Sequence, residues 1–192
     1  HRIREAMTKQ PSGLLGSGGG TIEADETYWG NKADYGKGPR GWHHKMKVFS
    51  LVERNGEVRS FHVARVNSKT LKPILQAQIA KDAHVITDQA NVYKHAAQGF
   101  ASHKSVNHSV GEYVKPDGTH TNTVEGYFSI LKRGLIGTFH HVGAQHLQRY
   151  VNEFDFRYNN RVALGIDDVQ RTNAALRGIS GKRLTYRRTA GE

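Results

Sequence analysis

The chain reads as an α/β fold: a mixed β-sheet in which an antiparallel hairpin sits beside parallel strands, flanked by helices, with extra helices at the C-terminal end. Three observations predict it. MKVFSLVER and EVRSFHVARV are strand-like runs separated by Asn55-Gly56, the strongest hairpin signal present. The short apolar run AHVITD lies between two helical patterns, as a buried parallel strand would. From Asn122 onward, apolar residues recur every three or four positions, the period of amphipathic helices.

The elements follow in order. HRIREAMTKQ reads as a helix end with no initiator Met, so the chain is expected to be a fragment of something longer. PSGLLGSGGG, residues 11 to 20, reads as a flexible joint because Pro, Ser and Gly oppose a packed element. A strand from Thr21 to Tyr28 carries Asp25, and the Gly- and Lys-rich loop GNKADYGKGPRGWHHK follows it. After the hairpin, which Asn-Gly would close as a type I′ turn, a helix opens with Ser68 as N-cap and places Leu71, Ile74, Leu75 and Ile79 at helical spacing. Pro73 falls within its first turns. AHVITD then ends in Asp88, ahead of a helix in NVYKHAAQGF and a strand near KSVNHS. Beyond the Lys115-Pro116-Asp117-Gly118 loop comes a long helix beginning near Asn122, with Val124, Phe128, Ile130, Leu131 and Leu135 on one side. Another contains Leu147, Tyr150, Val151, Phe154 and Tyr158. No fixed-period repeat occurs, so a solenoid is excluded. The order βββ, α, β, α, β, α is the ribonuclease-H-like arrangement. The expected division is a helix end and linker over 1–20, one folded domain over 21–177 and a basic tail over 178–192.

Composition narrows the partners. The 192 residues are 36% hydrophobic, enough for one core, and 28 Lys+Arg against 17 Asp+Glu leave a net charge of +11. Such an excess points to a polyanion, with nucleic acid as the leading class. The absence of cysteine excludes disulfides and Cys-ligated zinc in this chain and fits a reducing compartment. No signal peptide and no membrane-length apolar window are present.

Three carboxylates stand out: Asp25 within TIEADETYWG, Asp88 closing the AHVITD strand, and Glu125 opening NTVEGYFSILKRG. They lie 63 and 37 residues apart, so only tertiary folding can join them. Together they suit a two-metal phosphoryl-transfer site, because carboxylates are the hard ligands Mg²⁺ prefers. Singly, each has a plainer reading. Asp88 suits a turn or helix N-cap, and Glu125, three residues after Asn122, suits a capping box. For Asp25 the plain reading is weaker, since an unpaired acid inside a strand is costly to bury. Glu26 points to the opposite face and reads as a solvated surface acid.

DETYWG, the ITD preceding Gln89, the block TNTVEGYFSILKRGLIGTFHHV and the ending HLQRYVNEFDFRYNNR resemble the catalytic domain of DDE-type bacterial insertion-sequence transposases, in the group that carries an N-terminal zinc ribbon. The resemblance spans about residues 21 to 161. It implies cleavage of transposon ends and strand transfer into target DNA, two Mg²⁺ or Mn²⁺ ions, DNA as partner, a homodimer, and a cytoplasmic, nucleoid-associated setting. It implies catalytic and metal-binding roles for Asp25, Asp88 and Glu125. Asn122 competes with Glu125 as the third signature residue, because that group often carries Asn there. A structure-selective nuclease on the same scaffold and a noncatalytic DNA-binding module are the alternatives.

For DNA contact, Lys132 lies seven residues after Glu125, on nearly the same helical face, with Arg133 beside it. The resemblance gives that position to the DNA end. Lys37, Arg40, Trp42 and Lys45, with His43, His44 and Lys47, interleave basic and aromatic residues on a Gly-rich loop, as backbone tracking and base stacking require. Arg157 and Arg161, with Arg149, offer further phosphate contacts. The plain readings are solvated helix charge for Lys132, a mobile surface loop with no duty for the Gly-rich segment, and an exposed i, i+4 pair with Glu153 for Arg157. His140-His141 is not read as a metal site, because no Cys accompanies it.

Overall fold

The computed structural model describes residues 2–8, 11, 13–30, 45–106 and 114–182. Helix α1 (Arg2–Met7) precedes strands β1 (Thr21–Trp29), β2 (Met46–Glu53) and β3 (Val58–Val63). Helix α2 (Ser68–Gln78), strand β4 (His84–Asp88), helix α3 (Asn91–Ala96) and strand β5 (Ser102–Val106) follow. The C-terminal part comprises α4 (Asn122–Gly134), continued by one π turn over Leu135–Phe139, then α5 (Ala144–Asn159) and α6 (Asp168–Arg177).

The five strands form one sheet in the order β3-β2-β1-β4-β5. β1 pairs antiparallel with β2 and β2 with β3, whereas β4 is parallel to both β1 and β5. This is the expected ribonuclease-H-like mixed sheet.

Because side chains alternate along a strand, the sheet buries two separate apolar layers. Ile22, Ala24, Phe49, Leu51 and Val85 face α2 and α3, meeting Leu71, Leu75, Tyr93 and Ala96. Val48, Val52 and Val58 face α4 and α5, meeting Val124, Tyr127, Leu131, Leu147 and Val151. A Cβ at Gly134 would lie 2.1 Å from the Phe154 ring, so the α4–α5 contact needs glycine there.

Three local expectations are corrected. The hairpin forms, but only Asn55 has positive φ, at 58°, so the turn is not the doubly left-handed type I′. Gly56 serves close approach instead, since a Cβ would meet the Glu53 side chain at 2.8 Å. The N-cap of α2 is Asn67, whose side chain accepts from Thr70 N; the Ser68 hydroxyl donates to Val92 O. The expected joint is tied down where it is described. Leu15 is 2% exposed and bridges Ile79, while Gly16 N and Gly18 N donate to Glu53 and Asp82. An apolar side chain with a core site outweighed the flexibility of its glycine neighbours.

Candidate active site

β1 is the central strand, and its register decides which acids meet. Ala24 pairs with Thr87, so the next residues, Asp25 and Asp88, sit side by side on adjacent parallel strands. Both alternate away from the α2–α3 layer and onto the face that α4 covers. Glu125 stands in the first turns of α4, which packs over β1 and β2. The chain thus brings three sequence-distant carboxylates to one end of one sheet face.

Their electrostatics record the proximity. Asp25 is partly buried and its carboxyl is pushed up to about 8, first by loss of water, then by the charges of Glu26, Asp88 and Glu125; a hydrogen bond from Glu26 N offsets part of this. Asp88 holds the turn into α3 by accepting from Ala90 N at 2.8 Å, so the turn-forming reading is true of one oxygen. Glu125 is exposed and accepts from Thr121 Oγ1 at 3.0 Å. The capping-box reading is not realised. The N-cap is Thr121, it makes no side-chain capping bond, and Glu125 is the fourth helical residue. Asn122 is exposed, one turn earlier on the same helix, with its backbone N 3.3 Å from His120 Nδ1.

Glu26 departs from its expected surface role. It points away from Asp25, but it is partly buried and accepts from the fully buried Tyr93 hydroxyl and from Tyr28 Oη at 3.5 Å. Burial raises its pKa, with the charge of Asp88 adding to the effect, and these hydroxyl bonds oppose it. Tyr28 is itself pushed up to about 12 by burial and by the acids around it.

Sequence reasoning overlooked Glu23. It lies two residues before Asp25 and so on the same sheet face, a signal that strand alternation alone provides. It is fully buried, and its carboxylate accepts from Thr123 N, Thr123 Oγ1 and Val124 N at 2.8, 2.8 and 3.0 Å. Arg54 Nε lies 2.7 Å away on the other side. A second overlooked group lies farther along this face. Asp155 accepts from Tyr127 Oη and Ser60 Oγ, at 2.5 and 2.8 Å, and burial pushes it up to about 7. A cavity of about 330 Å³ opens beside it, between β3, α5 and the residues Met7, Thr8 and Pro11, and none of Asp25, Asp88 and Glu125 lines it.

The predicted DNA contacts divide. Lys132 and Arg133 are exposed on α4, and Lys45 is exposed ahead of β2. Arg157 gives a 2.7 Å ion pair to Glu153, which is only 5% exposed. Arg161 lies 3.8 Å over the Tyr158 ring and donates to the carbonyls of Gly56 and Tyr158, so its guanidinium is engaged within the fold. Lys37, Arg40, Trp42, His43 and His44 lie outside the described residues. His140 and His141 are exposed just after the π turn.

Among the described residues, no three His, Asp or Glu side chains are gathered tightly enough to enclose one metal ion as they stand. The donor set nonetheless fits a hard divalent cation. All three candidate donors are carboxylates; burial first, and then the neighbouring negative charges, hold Asp25 toward its neutral form, and a cation between them would offset the repulsive part. Among the described residues, no helix is long and apolar enough to cross a membrane.

Two comparisons bear on this arrangement. Over 116 residues the chain is 28% identical to an uncharacterised transposase-like protein of Haemophilus influenzae, a match covering 60% of this chain and 84% of that protein. The family pattern of the ISXO2-like transposase domain matches residues 17–159, and so the whole five-stranded sheet, the three acids and α5. The chain belongs to the ISXO2-like transposase domain family.

Proposed function

We propose that this domain cleaves DNA at transposon ends and transfers the freed strand into target DNA, using divalent cations held by Asp25, Asp88 and Glu125. The observation that carries the reading is the convergence of these three carboxylates on one sheet face, with the charges of Asp88 and Glu125 both bearing on Asp25. Asp25, central in the sheet and between the other two, would hold both ions; Asp88 would hold one and Glu125 the other. Asn122, one turn from Glu125, is the competing third ligand. When bound, a pair of Mg²⁺ or Mn²⁺ ions supplies activation of the attacking oxygen and neutralises charge on the scissile phosphate.

The chain's own residues do the rest. Glu125 orients the nucleophile, water in the first step and a DNA 3′-hydroxyl in the second. Lys132 and Arg133, farther along the exposed side of α4, contact the phosphates of the DNA end. Lys45, exposed ahead of β2, is given the same phosphate-contacting role. Holding two ends at once calls for a homodimer.

The test is to incubate the protein with labelled element ends, supercoiled target and Mg²⁺ or Mn²⁺. Nicked ends and joined products are expected, and Asp25→Asn, Asp88→Asn and Glu125→Gln should each lower the rate about 100-fold or more. Hydrolysed ends without joined species would favour a structure-selective nuclease on the same site. Binding without cutting under every condition would leave a noncatalytic DNA-binding module.

A further inference from the structure

We propose that Glu23 is a positioning residue of the acidic site: its buried carboxylate clamps the first turn of α4 to β1 and so sets Glu125 against Asp25 and Asp88. The inference rests on the metal-site reading above and deepens it.

The geometry is a bracket between strand and helix. Glu23 and Asp25 leave β1 on the same face, one residue apart in the alternation. Glu23 Oε2 accepts from the amides of Thr123 and Val124, the two residues immediately before Glu125, at 2.8 and 3.0 Å. Oε1 accepts from Thr123 Oγ1 at 2.8 Å and from Arg54 Nε at 2.7 Å, with His120 Nδ1 at 3.4 Å. Arg54 also donates to His120 O at 3.0 Å, so the segment entering the helix is held as well.

An ordinary cap would not need this. Helix N-termini usually satisfy their free amides with a local Ser, Thr, Asp or Asn, and α4 has Thr121 at that position. Yet Thr121 makes no capping bond and gives its hydroxyl to Glu125 Oε1 instead. The local cap is thus spent on the candidate ligand, and the capping duty passes to the strand that carries Asp25. A fully buried carboxylate is costly unless its partners are complete, and here a guanidinium, two amides at the positive end of a helix and a hydroxyl complete them. The consequence is a fixed distance between Asp25 on the strand and Glu125 on the helix.

The experiment uses the full chain with Mn²⁺ alone as probe. Calorimetry measures Mn²⁺ affinity, far-UV circular dichroism reports folding, and cleavage is measured across Mn²⁺ concentrations. Glu23→Gln keeps the shape but places an amide NH₂ against donors. It should weaken Mn²⁺ binding about 10-fold or more while the protein stays folded, with part of the lost cleavage recovered at saturating Mn²⁺. Thr123→Val, which removes one tether and leaves the charge pair intact, should weaken Mn²⁺ binding about threefold. Folded Glu23→Gln with unchanged Mn²⁺ affinity, beside an Asp25→Asn that has lost it, would overturn the positioning role and leave the acidic site standing. Asp25→Asn with unchanged Mn²⁺ affinity would instead overturn the site itself. Should Glu23→Gln fail to fold, Thr123→Val decides: unchanged Mn²⁺ affinity in that variant overturns the proposal.

Discussion

Asp25 carries the electrostatic conflict of the site, and that has a measurable cost. Its folded pKa, about 8, stands above the ordinary carboxylate value of 3.8, so the folded state binds the proton more tightly than the unfolded chain does. The stability this contributes is fully present below about pH 4 and is lost as pH rises through 8, at up to about 1.4 kcal/mol per pH unit for one proton. Asp155, raised to about 7, adds a slope of the same sign over an overlapping range. Metal-free protein should therefore melt at lower temperature as pH rises from 5 to 8. Asp25→Asn removes one of these titrations, so at pH 8 its metal-free Tm should exceed that of the unsubstituted protein by about 2–4 °C, while Mn²⁺ no longer raises it. A variant Tm at or below the parent value at pH 8, measured by calorimetry, would show that Asp25 is not strained. The same logic separates Asn122 from Glu125. Glu125 is the residue whose charge reaches Asp25, whereas the neutral, exposed Asn122 side chain does not contribute to that repulsion. Asn122→Ala should accordingly leave Mn²⁺ affinity within about twofold, and Glu125→Gln should not.

Helix α5 does at the sheet edge what another strand would do. β3 is an edge strand, and its outward amides and carbonyls would otherwise be open to pairing with another chain. Asn159 accepts from Val58 N at 2.6 Å and donates to Val58 O at 2.8 Å. Asp155 accepts from Ser60 N, and Gln148 donates to Ser60 O and accepts from His62 N, at 2.8, 2.9 and 2.6 Å. Positions 148, 155 and 159 fall on one helical face, so a polar stripe reads alternate residues of the strand. Asn159→Ala would leave both Val58 groups without these partners where Val58 is 1% exposed, and should cost about 1–3 kcal/mol in denaturant unfolding. That stripe was present in AQHLQRYVNEFDFRYNNR, but only the apolar stripe was legible, because hydrophobic period announces burial while Gln and Asn look the same whether they meet water or a strand edge. The strands, the hairpin and helices α2, α4 and α5 were legible for the converse reason, that their spacing alone forces a buried side, whereas α6, which buries no residue, was not. The turn type at Asn55 and the N-cap at Asn67 were not, since each depends on one competing side-chain contact.

At the scale of the whole molecule, the three acids of the proposed site could be named from the sequence, and the residue proposed to support them could not. Asp25, Asp88 and Glu125 are marked by costly or boundary positions in local patterns, whereas Glu23 is defined by partners 31, 100 and 101 residues away. The basic residues show the same division. A net charge of +11 indicates a polyanion without saying which cations face it, and the fold assigns two of them elsewhere: Arg161 is spread over Tyr158 and two backbone carbonyls, and Arg157 pairs with buried Glu153. Lys132 and Arg133, exposed on α4 farther along the helix from Glu125, are the cations proposed to meet a phosphate chain near the acids. Each phosphate neutralised releases counterions, so the logarithm of DNA affinity should fall linearly with the logarithm of salt, by about 0.9 per contact. Lys132→Ala combined with Arg133→Ala should flatten that slope by about 1–2, without changing the metal-free Tm by more than about 2 °C. Arg161→Ala should do the reverse, lowering Tm while leaving the slope unchanged, because its cation already serves the interior. Fluorescence anisotropy of a labelled duplex across a salt series, paired with calorimetry, reads both quantities. A slope that Arg161→Ala flattens and the α4 double substitution does not would place the DNA path along α5 instead of across the acidic site.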